Sequence, residues 1–130
     1  MDTRRGFFKN LLALLGLAAL PIRSARAQDL AIPLKKAPKL EKAGGWTVLK
    51  VKGHSILFVR DAPKSIRALS ATCTHRGCQT GYNPDAQRIE CPCHGSRFDL
   101  TGKVQRGPAK NPLKTYSAKL SGGSIIVTVD

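Results

Sequence analysis

Cys73-Thr74-His75-Arg76-Gly77-Cys78 and Cys91-Pro92-Cys93-His94-Gly95-Ser96 hold all four cysteines and two of the three histidines of this chain. The two boxes mirror each other in content. Thiolate and imidazole are metal-binding groups, and a set of this kind can be a structural zinc site, because zinc takes four such ligands in a tetrahedron. Six candidates for four places leave two cysteines over. An exported chain offers those two a natural fate as a disulfide, and the count then closes at two Cys, two His and one bridge.

Around the boxes the mature sequence reads as strands. Leu30, Ile32 and Leu34 alternate in one short edge strand, and a Lys-rich loop with Pro38 and Gly44-Gly45 follows. Further strands are expected at Trp46 to Lys52, Ile56 to Arg60, Ile66 to Ala71, Arg88 to Cys91, Arg97 to Leu100, Leu113 to Leu120 and Ser124 to Val129. Gly53-His54, Asp61 to Lys64, Thr101 to Lys103 and Ser121 to Gly123 punctuate them as turns. No sustained helical periodicity interrupts this pattern, so the fold class is all-β and antiparallel.

The length of 130 residues leaves room for one domain and excludes a two-domain enzyme. Only 5% of residues are aromatic; a modest core of this kind is often stapled by a metal or by disulfides. With 22 Lys and Arg against 8 Asp and Glu, the net charge is +14, which favours acidic partners. Lys35, Lys36, Lys39 and Lys42 have no interleaved aromatic side chains, so they read as a solvated face and no nucleic-acid partner is expected.

Residues 1–27 read as an export signal. A basic start precedes the apolar run Leu11 to Ile22 and the stretch Ser24-Ala25-Arg26-Ala27, with cleavage expected before Gln28. Twelve residues make a helix of about 18 Å, short of a hydrocarbon core of roughly 30 Å. Thr3-Arg4-Arg5-Gly6-Phe7-Phe8-Lys9 resembles the twin-arginine pattern, departing from it only at Phe8. That route carries folded proteins, so a cofactor assembled before export is anticipated. The remaining 28–130 keeps 17 basic and 7 acidic residues, a net +10.

Together the boxes resemble the Rieske iron-sulfur signature, C-x-H and C-x-x-H, with the 15 residues Arg76 to Glu90 between them. The extra cysteine in each box is similar to the high-potential branch, which includes quinol-cytochrome c oxidoreductase Rieske subunits and arsenite oxidase small subunits. The resemblance implies a Rieske-type β-sandwich with a small cluster-binding subdomain and one [2Fe-2S] cluster. In that family's pattern Cys73 and Cys91 would hold one iron, His75 and His94 the other, and Cys78 and Cys93 would form a disulfide joining the loops. Two ferric ions, two sulfides and two thiolates sum formally to zero, so one added electron builds only a single negative charge. Neutral imidazoles thus raise the potential, into roughly −150 to +300 mV for such centres. By the same resemblance Ser96 would donate its hydroxyl to a bridging sulfide. Phe98 stands where quinol-oxidising relatives commonly carry a Tyr that donates to a ligand sulfur, and Gly107-Pro108-Ala109 resembles the loop that covers the cluster from a third side.

The function implied is one-electron transfer on the outer side of the cytoplasmic membrane, from a quinol or an oxidoreductase to a cytochrome. The chain would act as a complex subunit or as a soluble periplasmic carrier. Its expected partners are a cytochrome or other redox protein, within a quinol-oxidising membrane complex or beside a molybdenum oxidoreductase. Arg76 stands where Leu is usual in the quinol-oxidising complexes, and a guanidinium is costly to desolvate in an apolar pocket. The alternative from the residues alone is a structural zinc protein. An oxygenase would need a separate mononuclear-iron domain, for which no residues are left. His54, Trp46 and Tyr82 are expected to be structural.

Overall fold

The computed structural model describes residues 27–130. The export signal expected at the N-terminus lies outside them, apart from Ala27. Eleven strands run in the order β1 (Gln28–Pro33), β2 (Trp46–Val51), β3 (His54–Ala62), β4 (Ser65–Ser70), β5 (Gly81–Asn83), β6 (Arg88–Glu90), β7 (Arg97–Phe98), β8 (Val104–Arg106), β9 (Thr115–Tyr116), β10 (Ala118–Ser121) and β11 (Ser124–Val129). They form three antiparallel sheets, ordered β1-β11-β10, β2-β3-β4-β9 and β5-β6-β7-β8.

The middle sheet is covered on both faces, and the run Ile56-Leu57-Phe58-Val59 in β3 is the reason. Successive strand side chains point to opposite faces, so an unbroken apolar run demands two cores; all four of these residues are fully buried. Ile56 and Phe58, with Ile66 and Ala68 of β4, meet Ile125, Val127 and Val129 of β11. That is the sandwich. Leu57 and Val59, with Leu69 and Ala71, meet Tyr82, Ile89 and Phe98 of the third sheet, and Cys73 and Cys91 belong to this same core. The small sheet β5–β8 therefore carries the metal-binding boxes on a foundation continuous with the domain. Burying one large apolar side chain contributes about 1.5–3 kcal/mol, so this shared core ties the site to global stability.

Several boundaries differ from the sequence reading. His54 opens β3 instead of sitting in the turn, which is Lys52-Gly53. Leu113 to Leu120 splits around Ser117, β9 pairing with β4 and β10 with β11. The expected strand Arg97 to Leu100 stops at Phe98, because Asp99 turns the chain: its carboxylate accepts from the N–H groups of Thr101 and Lys103. The Lys-rich loop contains two 3-10 turns, Leu34–Lys36 and Pro38–Leu40. It is pinned by the Arg60 guanidinium, which donates to the carbonyls of Leu40 and Glu41. β5 and β8 were not anticipated at all.

Candidate metal centre

Each box folds into a six-residue loop, and the two loops close in the same way. In the first, Cys73 N–H donates to Cys78 C=O at 2.8 Å and Gly77 N–H donates back to Cys73 C=O at 2.9 Å. In the second, Cys91 N–H donates to Ser96 C=O at 2.9 Å and Gly95 N–H to Cys91 C=O at 3.0 Å. The fifth residue of each is a glycine at positive φ, 77° for Gly77 and 81° for Gly95. There a Cβ would be strained whatever the space. A tight loop of this kind leaves its first side chain rooted in the core and turns the next four residues toward the surface, His75 only half-way.

The result sorts the candidate ligands into two pairs. Cys73 and Cys91 are free, buried thiols at the base of their loops. Burial pushes the Cys91 thiol up; hydrogen bonds from the N–H groups of Cys93 and His94 oppose this, and the neighbouring Cys73 thiol adds to it. His75 and His94 form the second pair, ring centroids 4.8 Å apart and nearly perpendicular. His75 is half-buried; its Nδ1 is shielded and has no hydrogen-bond partner. Burial first, then His94 and the Arg76 guanidinium, hold its imidazole below the usual range, which favours the neutral form that binds metal.

Cys78 and Cys93 form the disulfide that the family resemblance implies, with Cα atoms 6.4 Å apart. Among the described residues, the three ligand atoms that converge within 4.8 Å are the sulfurs of Cys78, Cys91 and Cys93, two of which are engaged in that bridge. No three of Cys73, His75, Cys91 and His94 converge so closely. A single tetrahedral zinc would require it, with bonds of about 2.0–2.3 Å. A sulfur pair and an imidazole pair set apart suit a centre of two metals, and the zinc alternative has no support.

The third loop closes over the other two. Ser96, fully buried, accepts the N–H of Ala109 at 3.0 Å, so its own hydroxyl hydrogen stays available to an acceptor in the site. Thr74 Oγ1 donates to the carbonyl of Asn111 at 2.6 Å. These two ties, one to each metal loop, had no individual sequence signal beyond the Gly-Pro-Ala motif. Phe98 is fully buried in the core that holds both free cysteines. Trp46 is half-buried against Gly81 and lines a groove of about 550 Å³ beside Cys91, together with Tyr82, Pro92, Gly95 and Arg97. His54 sits away from the boxes, its ring 6.3 Å from that of Tyr116.

The Rieske [2Fe-2S] domain model matches residues 31–117. The chain is 31% identical to a cytochrome b6-f complex iron-sulfur subunit of Chlorobaculum thiosulfatiphilum, across 96% of this chain and 75% of that one. It is 39% identical to cytochrome b6-f complex iron-sulfur subunit 1 of a Nostoc species over 75% of this chain. It spans 56% of that second relative's length and 36% of the Chlorobaculum tepidum subunit. Among solved structures it is similar to the cyanobacterial plasma membrane Rieske protein of Synechocystis, with a TM-score of 0.61, 31% identity and coverage of 75% of this chain and 97% of that one. A chain of a hyperthermophilic respiratory complex III matches 95% of this chain and 96% of its own length, with a TM-score of 0.57 and 26% identity. The chain belongs to the Rieske [2Fe-2S] domain family, and its cofactor is a single [2Fe-2S] cluster.

Proposed function

We propose that this chain carries single electrons as the Rieske component of a quinol-oxidising, cytochrome b-type complex. In this reading Cys73 and Cys91 hold one iron, and His75 and His94 hold the other. The observation that carries it is the sorting of four ligands, by two loops of one build, into a buried thiol pair and an outward imidazole pair. When bound, the cluster supplies a one-electron couple whose charge stays low because two of its ligands are neutral. The chain's own groups do the rest. The core behind Cys73 and Cys91 excludes water from the thiolate side, and N–H groups of Cys93 and His94 stabilise negative charge on the Cys91 sulfur. The disulfide keeps the loops at a fixed separation, and Ser96 offers a hydroxyl at the buried side. The imidazoles lie on the open side, where an exposed ring nitrogen can accept a hydrogen bond from a quinol and take its proton as the electron leaves.

The relatives, iron-sulfur subunits of cytochrome b6-f complexes, support a place within a complex of that type; a molybdenum oxidoreductase as donor, and a soluble carrier role, are the remaining forms of the same proposal. We further propose residues 1–27 as a twin-arginine signal that delivers the loaded domain to the outer face of the cytoplasmic membrane. Ligation is tested by Cys73→Ser, His75→Ala, Cys91→Ser and His94→Ala, each expected to abolish the cluster. Iron and acid-labile sulfide analysis reads the result, with two of each per chain expected in the unaltered protein. A variant that keeps full iron and sulfide overturns its residue's assignment.

A further inference from the structure

The three loops around the histidine pair contain basic residues and no acid. Residues 71–80 contribute Arg76, residues 91–96 contribute no charge, and residues 104–112 contribute Arg106 and Lys110. All three cationic residues are exposed, and none takes part in the four ion pairs found among the described residues. Their placement is set by the fold. Arg76 follows His75 directly. Lys110 lies between Ala109, bonded to Ser96 of one metal loop, and Asn111, bonded to Thr74 of the other. Two acids of the third sheet are engaged elsewhere, Asp99 capping its own turn and Glu90 meeting Asn83, Arg88 and Arg97; the third, Asp85, lies in the turn at the end of the β5–β6 hairpin away from the metal loops. An uncompensated positive field at the place where an electron leaves steers a negatively charged partner and speeds its encounter.

We propose that the histidine face is an electrostatic docking surface for an acceptor protein whose exposed cofactor edge is ringed with carboxylates. This rests on the electron-transfer reading and adds the chemistry of the partner. One electron leaves the reduced cluster and reduces the acceptor's metal by one unit; no proton or covalent bond is exchanged between the two proteins.

The test uses the reduced holoprotein in stopped flow, mixed with ferricyanide, with the cationic tris(phenanthroline)cobalt(III), and with two c-type cytochromes of opposite net charge. Salt is varied from about 10 mM to about 0.5 M, which shortens the screening length from roughly 30 Å to a few ångströms. Ferricyanide and the acidic cytochrome should react fastest at low salt and slow about tenfold as salt rises. Arg76→Glu with Lys110→Glu should slow both at low salt by about tenfold and accelerate the cobalt complex. Lys35→Glu with Lys39→Glu makes the same change in net charge in the 3-10 turns of the opposite layer, and it should change each rate by less than about threefold. If the Glu pair loses its cluster, by visible spectrum, Arg76→Gln with Lys110→Gln should give the same direction with about half the charge change. Equal effects of the two double variants, rates indifferent to salt, or preference for the basic cytochrome would each overturn the docking surface. If none of the four oxidants takes an electron from an intact cluster, it is the electron-transfer reading that fails.

Discussion

The two metal loops share a backbone and differ in what their side chains fasten. Both close through the same two hydrogen bonds around a left-handed glycine. Yet His75 is the third residue of its loop and His94 the fourth, and the third place in the second loop holds Cys93. The sixth residue is Cys78 in one and Ser96 in the other. Cys78 fastens the first loop covalently to Cys93, while Ser96 fastens the second to Ala109 of the covering loop. One backbone solution, used twice, thus presents two equivalent thiols at the base. The differences at the third, fourth and sixth places then supply a covalent anchor on one side and a polar, tunable one on the other.

Breaking the covalent anchor should have the largest effect after removal of a ligand. The bridge spans 15 residues, and closing a loop of that length stabilises by about 3 kcal/mol in the chain-entropy model. Cys78→Ser or Cys93→Ser should still assemble a cluster but lose it readily, seen as faster bleaching of its visible absorption under mild heating or chelator. Two reactive thiols in the folded, oxidised, unaltered protein would show instead that the bridge does not form in solution.

The likeness of the loops is sharpened by changing their glycines in parallel. A Cβ at Gly95 would meet no atom within 4 Å, and at Gly77 only Thr72 Cγ2 at 3.8 Å. The penalty at both is therefore conformational, about 1–2 kcal/mol for a left-handed alanine. Gly77→Ala and Gly95→Ala should lower the thermal bleaching midpoint by similar amounts, roughly 4–8 °C per kcal/mol for a domain near this size. Asparagine should recover part of the loss at either position. A large inequality would mean that the resemblance of the loops ends at their hydrogen bonds.

How much of this was legible beforehand follows from the same residues. The run Ile56 to Val59 reads as a strand, though its burial on both faces comes only with the fold, and the Cys and His content of the boxes announces the metal site. β5 and β8, Gly-Tyr-Asn and Val-Gln-Arg, carry one apolar side chain each and no alternation; they are strands because β6 and β7 offer ladder partners. The common closure of the loops had one faint signal, a glycine at the fifth place of both boxes. The ties Thr74 to Asn111 and Ser96 to Ala109 join residues 37 and 13 positions apart, a relation that no local pattern encodes.

Ser96→Ala removes the polar anchor of the second loop, and its effect should be smaller than loss of the disulfide. The buried Ala109 N–H loses its acceptor, a cost of about 1–3 kcal/mol, and the covering loop should loosen over the cluster. If the hydroxyl donates to a sulfur of the cluster, its removal also destabilises the more negative, reduced form. The midpoint potential should therefore fall by a few tens of millivolts, given that about 1 kcal/mol per hydrogen bond corresponds to roughly 40 mV for one electron. A potential unchanged beside a lowered thermal midpoint would assign Ser96 to holding the loop alone.

Phe98 lies behind both loops, fully buried in the core that contains Cys73 and Cys91, with Ile89 and Val104 opposite it on the neighbouring strands. It has no hydroxyl to give, so on this side neither loop receives from residue 98 the kind of donor that Ser96 offers. Phe98→Tyr adds one donor with little change of shape. If that hydroxyl reaches a ligand sulfur, it stabilises the reduced cluster, and the midpoint should rise by a few tens of millivolts on the same scale of about 1 kcal/mol per bond, opposite in sign to Ser96→Ala. Protein-film voltammetry, run at one fixed pH, reads both variants against the unaltered protein. A Phe98→Tyr midpoint that stays put or falls would place residue 98 out of reach of the sulfurs, leaving its role as a core side chain behind the loops and the tuning to the Ser96 side alone.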